Sequence, residues 1–363
     1  MRKIDPFTRT PGVAGAAFID THHADVIIEN IESEESSKYV YKIVGLRGSG
    51  KSVEYRKIMN TMSERKGWLV YTLSAGGDPA STLIAKLGKE SFIDSKKHTT
   101  VVHTGAAAEA GALVFKGKAD LAVSKTSEEN TLLFSKEAEL GDMIGEANDK
   151  GYKVLIGIDD IAKTPQMTEF LSIIGALLLD DKKKIYFICT GLAKNIEDFA
   201  NEPNLTFFKR SDLIEIGELD KFEIASMYRK LLGTDEKEAV RLAKFTEGYA
   251  YAYQVLGSLY FNKKSQEDLE DLLPEFDKIM FRDSYDLIWK SLTPAEQELT
   301  KLIVDSATGK AADIKAKMKN PGSYDTLRSR LDNKHLVDIS EHGYIKICLP
   351  RFKEYVTLWH GND

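Results

Sequence analysis

The octapeptide Gly45-Leu-Arg-Gly-Ser-Gly-Lys-Ser52 constrains this chain more than any other feature it carries. It matches G-x-x-x-x-G-K-[ST] in full. It lies between an apolar run, Lys38-Tyr-Val-Tyr-Lys-Ile-Val44, and a helix-period segment over 52–66. A polyphosphate needs many donors at close range, so a loop that serves one must be glycine-rich for its amides to converge. The helix that follows adds the positive end of its dipole. The spacing assigns Gly45, Leu46, Arg47, Gly48, Ser49, Gly50, Lys51, Ser52 and Val53 to a cradle for ATP, with Lys51 reaching the β- and γ-phosphates and the Ser52 hydroxyl on Mg²⁺. At average residue usage the pattern arises by chance in about 1–2% of chains this long. The flanking strand and helix then set the bland alternative, a glycine-rich turn without ligand, well behind.

A strand feeding a helix asks for more of the same. The segments Trp68-Leu-Val-Tyr-Thr-Leu73, Lys153-Val-Leu-Ile-Gly-Ile158, Lys184-Ile-Tyr-Phe-Ile-Cys189 and Leu213-Ile-Glu-Ile216 read as strands. Helices fall between them, at 79–87 with Asp78 as N-cap, at 136–148 and at 167–179. This alternation predicts an α/β fold with a parallel sheet and crossover helices. The stretch from about 90 to 135 breaks the rhythm. Its β-branched pieces (99–102, 112–115, 121–123) and Gly105, Gly111 and Gly117 read as a β-hairpin insertion. After residue 216 the strands stop, and 221–232, 236–246, 250–261 and 265–279 read as helices.

Composition narrows the class. Of 363 residues, 42% are hydrophobic and 29% charged, which excludes a disordered or fibrous chain. A net charge of −6 excludes a uniformly basic nucleic-acid coat but not a local basic patch. Cys189 and Cys348 each sit in an apolar run and read as buried free thiols in a reducing compartment. No stretch approaches the ~20 apolar residues of a membrane span, and no signal peptide opens the chain. The expectation is a soluble cytoplasmic protein with no membrane partner.

A phosphate loop needs a carboxylate at the tip of a neighbouring strand to hold the shell of Mg²⁺. Ile156-Gly-Ile-Asp-Asp160 supplies it: Asp159 as the metal-side acid, Asp160 to orient the attacking water. A helix N-cap is the structural alternative for a lone Asp there. Asp160 is one methylene shorter than the usual Glu, which predicts slow hydrolysis. Thr190 ends the next strand, where open α/β sheets bind ligands, and is placed either on the γ-phosphate or in the following turn. Arg210 is a candidate arginine finger toward a neighbouring subunit, against the reading of a solvated surface arginine. The seven histidines lack partners at metal-ligand spacing.

Near the C-terminus, Ala311-Ala-Asp-Ile-Lys-Ala-Lys-Met318, the turn Asn320-Pro-Gly322 and the segment from Ser323 to Leu331 make a helix-turn-helix pattern. The strand-like pieces 336–339 and 344–348 read as a wing. Residues 310–334 hold seven Lys/Arg against three Asp. That basicity suits phosphate contacts with double-stranded DNA through Lys315, Lys317, Lys319, Ser323, Tyr324, Arg328, Arg330 and Lys334. A winged helix that docks protein instead is the alternative. The resulting division is a lead-in at 1–37, a P-loop core at 38–218, a helical lid at 219–290 and a winged helix at 291–363.

With these parts in this order the chain resembles the AAA+/STAND group of P-loop ATPases, and within it the archaeal origin-recognition initiators and bacterial ATP-binding proteins of that type. The similar stretches are Asp5-Pro-Phe-Thr8, Ile188-Cys-Thr-Gly-Leu192, the segment from Phe208 to Leu219, Thr246-Glu-Gly-Tyr-Ala250, the segment from Tyr324 to Leu331, and Leu349-Pro-Arg-Phe-Lys-Glu-Tyr355. The resemblance implies an ATPase core, a lid, and a winged helix moved by the nucleotide state. It also implies that Phe7 helps to seat adenine, that Arg210 is a finger or sensor arginine, and that homo-oligomers can form. Three departures stand out. Ala250 replaces the proline expected after Gly-Tyr and no arginine follows in that helix, Glu is missing at 160, and the glycine-arginine pair usual near 19–20 is absent. The expected function is a nucleotide-driven switch with slow ATP hydrolysis, coupled to DNA binding or assembly. The rivals are a non-hydrolysing scaffold whose winged helix docks protein and, third, a small-molecule kinase, which an Arg-free 90–135 segment disfavours.

Overall fold

The computed structural model describes residues 4–33, 39–93, 124–180 and 182–361. The chain forms two compact units: residues 23–43 with 55–214, and residues 1–22 with 44–54 and 215–363.

The first unit is built on a five-stranded parallel sheet of order β2-β3-β4-β1-β5, from β1 (Val40–Gly45), β2 (Trp68–Leu73), β3 (Lys153–Ile158), β4 (Ile185–Gly191) and β5 (Asp212–Ile216). β1 and β4 are buried along their whole length, and β3 from Val154 onward. That is why they read as near-continuous apolar runs rather than alternating ones. β2 and β3 pair in register from Trp68↔Lys153 to Leu73↔Ile158, and β3 and β4 from Val154↔Ile185 to Ile158↔Cys189. Parallel strands put the carboxyl ends of β1, β3 and β4 on one edge of the sheet. Gly157 in β3 is required by close packing. A Cβ there would lie 2.6 Å from Met59 Sδ and from Tyr55 Oη of α2 (Lys51–Ser63).

The crossover helices start where local chemistry says they should. α1 (His23–Glu32) buries Ala24, Ile27, Ile28 and Ile31, an i, i+3, i+4, i+7 stripe hidden in a lead-in that the sequence reading left without an element. In α3 (Pro79–Leu87), Asp78 accepts from the Ser81 amide and Pro79 takes the first turn. α4 spans Ser124–Asp149, so residues 124–135, expected in the hairpin insertion, are helical. The strand pieces expected at 99–102, 112–115 and 121–123 lie outside the described residues. α5 (Pro165–Leu177) is capped by Thr164. Lys136 of α4 bonds both Asp78 (2.8 Å) and Glu169 of α5 (2.9 Å). Two short helices absent from the sequence reading, α6 (Ala193–Ala200) and α7 (Thr206–Arg210), complete the unit.

The second unit is mostly helical: α8 (Lys221–Leu232), α9 (Glu236–Phe245), α10 (Ala250–Asn262), α11 (Leu269–Met280), α12 (Asp286–Ser291), α13 (Pro294–Val304), α14 (Ala311–Lys317), α15 (Tyr324–Asn333) and α16 (Phe352–His360). Capping boxes at Asp268 and Thr293 open α11 and α13. β6 (Val337–Asp338) and β7 (Lys346–Ile347) pair antiparallel, Val337↔Ile347 and Asp338↔Lys346. The lead-in is strapped along α10. Asp5 accepts from Ser258 Oγ (2.7 Å) and Asn262 Nδ2 (2.8 Å), the Thr8 amide donates to Gln254 Oε1 (2.9 Å), and Tyr253 Oη donates to the Ala17 carbonyl (2.8 Å). No helix of the described residues is long and apolar enough to cross a membrane.

Candidate nucleotide site

The loop after β1 has the backbone a cradle needs. Gly48 and Gly50 have φ of +79° and +106°, values other residues rarely adopt. The Val53 and Glu54 amides both bond to the Gly50 carbonyl (2.8 and 3.2 Å), which opens α2 inside the loop. Lys51, 8% exposed, folds its ammonium over the loop and donates to the carbonyls of Gly45 (3.0 Å) and Leu46 (2.9 Å). Beside it the Ser49 hydroxyl is buried with no hydrogen-bond partner among the described residues. A buried hydroxyl without a partner costs free energy that an acceptor in the cradle would restore. A buried lysine ammonium likewise favours an anion nearby. The donor set therefore fits a phosphate group. Glu54, 2% exposed, accepts from Thr21 Oγ1 (2.7 Å) and so ties the lead-in to the first turn of α2.

In the sheet unit, Asp159 and Asp160 follow β3 directly. Asp160 adopts φ +56°, an uncommon conformation for a non-glycine residue and one that clusters at functional turns. Thr190, fully buried at the end of β4, holds that turn. Its Oγ1 accepts from the Asp160 amide (2.8 Å) and donates to Asp159 Oδ1 (2.5 Å), while its carbonyl accepts from the Ile161 amide (2.8 Å). A threonine hydroxyl has one proton, and here it goes to the acid. Thr190 thus fixes the Asp159 carboxylate and leaves Asp160 exposed beside it.

Arg210 ends α7 and is exposed. Sequence reasoning missed what places it. Lys42, in the middle of β1 and 4% exposed, donates to the Phe208 carbonyl (2.5 Å) and lies 5.2 Å over the Phe208 ring. Burial pushes its ammonium below the ordinary lysine range, while Cys189 and Asp212 act the other way. A lysine in an apolar strand is the signal that was available, because a buried cation needs a fixed partner. Phe7 is buried against Tyr253 (5.7 Å, edge-on) and Tyr228 (5.9 Å). Its ring packs into the helical core and anchors the lead-in there.

The C-terminal basic segment is partly spent on internal contacts. Tyr324 is in the core at 3% exposure. Lys334 pairs with Glu296, 2% exposed, at 2.7 Å. Lys315 pairs with Asp325 (3.0 Å) and Lys319 with Glu298 (3.7 Å), and the Ser323 hydroxyl donates to the Asn320 carbonyl (2.8 Å). Lys317 and Arg330 are exposed and Arg328 half-buried. None of these three has a carboxylate at salt-bridge distance among the described residues.

No protein-family model matches the sequence, and no curated protein does. Solved structures do. The Aeropyrum pernix ORC2 protein in its ADPNP-ADP complexes aligns at 11% identity over 98% of this chain and 95% of its own, with a TM-score of 0.50. Cdc6p from Pyrobaculum aerophilum (12%, 96% and 98%, TM-score 0.44) and Aeropyrum pernix ORC1 in complex with DNA (12%, 94% and 94%, TM-score 0.43) align over similar lengths. The chain shares the fold of the Aeropyrum pernix ORC2 protein. At these identities the likeness concerns the path of the chain, and the chemistry rests on the residues above.

Proposed function

We propose that this chain is an ATP-binding AAA+ ATPase of the initiator/STAND type that works as a nucleotide-driven switch. The observation that carries the reading is the loop at 45–52, where a buried ammonium and a buried serine hydroxyl, unpartnered among the described residues, sit inside a glycine-shaped turn. Lys51, Ser49 and the loop backbone would hold the phosphates, and Ser52 with Asp159 would hold Mg²⁺, which supplies charge neutralisation when bound. Thr190 orients Asp159 and stabilises the turn that presents Asp160. Asp160 would orient the attacking water, and its short side chain favours slow turnover. Arg210, pinned through Lys42, would reach toward a neighbouring copy. In this reading residues 38–218 act as the core, 219–290 as the lid and 291–363 as a winged helix. Lys317, Arg328 and Arg330 would be the leading contacts to DNA phosphates. Helix, turn, helix and a two-stranded hairpin in order support that assignment.

Paired variants test the site. Lys51→Ala should abolish ATP binding in a fluorescent-nucleotide titration; wild-type affinity would show that the loop is not the cradle. Asp160→Ala should bind ATP normally yet lose about 10²-fold or more in phosphate release, the scale of a positioned water. Unchanged release would assign the water to another residue.

A further inference from the structure

We propose that Tyr249 and Ser284 form a hydroxyl relay that positions the phosphate loop and carries its state to the C-terminal helices. The relay presupposes the nucleotide reading above only for its trigger, since the bonds themselves are in the protein.

Tyr249 immediately precedes α10. Its hydroxyl donates to the Arg47 carbonyl in the middle of the phosphate loop (2.5 Å) and lies 2.7 Å from Ser284 Oγ. A phenol has one proton and a carbonyl can only accept. The proton of Tyr249 therefore goes to Arg47, and Ser284 donates to the tyrosine oxygen. The order Ser284→Tyr249→Arg47 is fixed by counting, and such chains polarise one another. Both side chains are buried, at 4% and 2% exposure, so water does not offer an easy substitute. Burial, ahead of any other cause, also raises the phenol above the ordinary tyrosine range and keeps its proton in place. The loop is shaped for the contact: a Cβ on Gly48 would lie 2.5 Å from Tyr249 Oη and 2.9 Å from Tyr251 Cβ. Gly48, a free position of the G-x-x-x-x-G-K-[ST] pattern, is needed here by the tyrosine.

Ser284 belongs to a π-helical turn, Phe281–Tyr285, that joins α11 to α12, with the Asp286 amide bonded to the Phe281 carbonyl. A π turn carries one residue more than the α-helix it interrupts, and it persists where specific contacts hold it. This one is held from two sides by adjacent residues. Ser284 faces the phosphate loop through Tyr249. Tyr285 donates to the Pro350 carbonyl and packs edge-on to Phe352 of α16 (5.0 Å) and against Tyr355 (5.9 Å). Next to Pro350, Arg351 Nε bonds Asp277 Oδ1 of α11 (2.8 Å). A ligand in the cradle acts on the loop backbone, and a shift of the Arg47 carbonyl makes or breaks the bond to Tyr249. Ser284 must then change acceptor inside a turn whose next residue holds α16. The turn, able to relax to α-helix, is the two-state element that such coupling requires.

The test is amide exchange by mass spectrometry on the full chain as wild type, Tyr249→Phe and Ser284→Ala, without nucleotide and with ATP and Mg²⁺. Tyr249→Phe keeps the ring and its packing, and Ser284→Ala leaves the tyrosine in place. Without nucleotide, each variant should speed exchange at both 45–50 and 281–292 by about fivefold, the worth of one neutral hydrogen bond. With ATP, the double variant should add nothing to either single variant, and the ATP-dependent change at 311–347 should vanish. Nucleotide-free exchange at wild-type rates in both segments, or an ATP-dependent change at 311–347 that survives Tyr249→Phe, would overturn the relay. Wild-type protein that fails to bind ATP would sink the nucleotide reading and remove the trigger. The nucleotide-free comparison would still decide whether the two segments are tied.

Discussion

The phosphate loop and the basic segment at 310–334 were both singled out by residue type, yet they fold in opposite ways. In the loop, Lys51 is turned inward and donates to the carbonyls of Gly45 and Leu46, and beside it the buried Ser49 hydroxyl has no hydrogen-bond partner among the described residues. In the basic segment, Lys315, Lys319 and Lys334 are neutralised by carboxylates, and Tyr324 has gone into the core. A motif whose spacing encodes backbone geometry survives folding as chemistry. A charge count does not, because acidic residues from distant sequence (Glu296, Glu298) enter the sum only after folding.

That difference is sharpest on the face proposed to meet DNA. If Lys317, Arg328 and Arg330 are the cations left for phosphates, replacing all three by Ala should lower the salt slope of duplex binding by about 2.7, near 0.9 for each contact. At 0.1 M salt this corresponds to a loss of about 10²–10³-fold in affinity. Lys315→Ala and Lys319→Ala should change the slope far less. Equal effects from the paired and unpaired cations in a salt titration would erase the distinction. Wild-type binding that is insensitive to salt would favour the scaffold that docks protein.

Lys334 separates the two roles from the other side. Glu296 is nearly sealed from water, caps α13 through the Thr293 amide (2.7 Å), and keeps Lys334 at 2.7 Å. Burial opposes its charge, but the lysine and the cap together hold its carboxyl below the ordinary range. Lys334→Met would leave that carboxylate with its cap alone and should cost about 2 kcal/mol, below the value for a fully buried pair because Lys334 is 18% exposed. Urea unfolding should show it as a lower midpoint with unchanged slope, while the salt slope for DNA stays as in wild type. A stable variant with weakened DNA binding would return Lys334 to the interface.

What the sequence made legible follows the same rule. The sheet was readable because β1, β3 and β4 are almost completely buried and their residues are apolar without interruption. The position of Asp159 and Asp160 at a strand end was readable because they follow the strongest of those runs. Local periodicity did not mark α6 and α7 as helices. Nor did it mark Lys42, whose role depends on a carbonyl 166 positions away, or Tyr249, which meets the loop across 202 positions. Contacts of that separation carry no pattern along the chain. Thr190 lies between these cases: the strand end was visible and the following turn was one of its two readings, whereas its bond to Asp159 required the geometry.

The hairpin β6–β7 supplies the smallest effect and the finest cut. Asp338 accepts from the Ser340 amide (2.8 Å) and pairs with Lys346 (3.0 Å) on the opposing strand. The Ser340 hydroxyl, then its amide and the lysine, bring its carboxyl down to about 2. Because the folded value lies below the unfolded one, the ionised form stabilises the fold at pH above about 4. That contribution is lost as pH falls from about 4 to 2. The carboxylate is partly open to solvent, so its worth at neutral pH is under about 1 kcal/mol. Asp338→Asn should therefore be less stable than wild type by a few tenths of a kcal/mol at pH 7, with about half of that gap left at pH 3. The pair is held within the hairpin, so the substitution should leave the salt slope for DNA unchanged. A gap in unfolding free energy that stays constant from pH 7 to pH 3 would mean that Asp338 acts through packing rather than charge. A changed salt slope would place the hairpin on the duplex and widen the DNA face beyond α14 and α15.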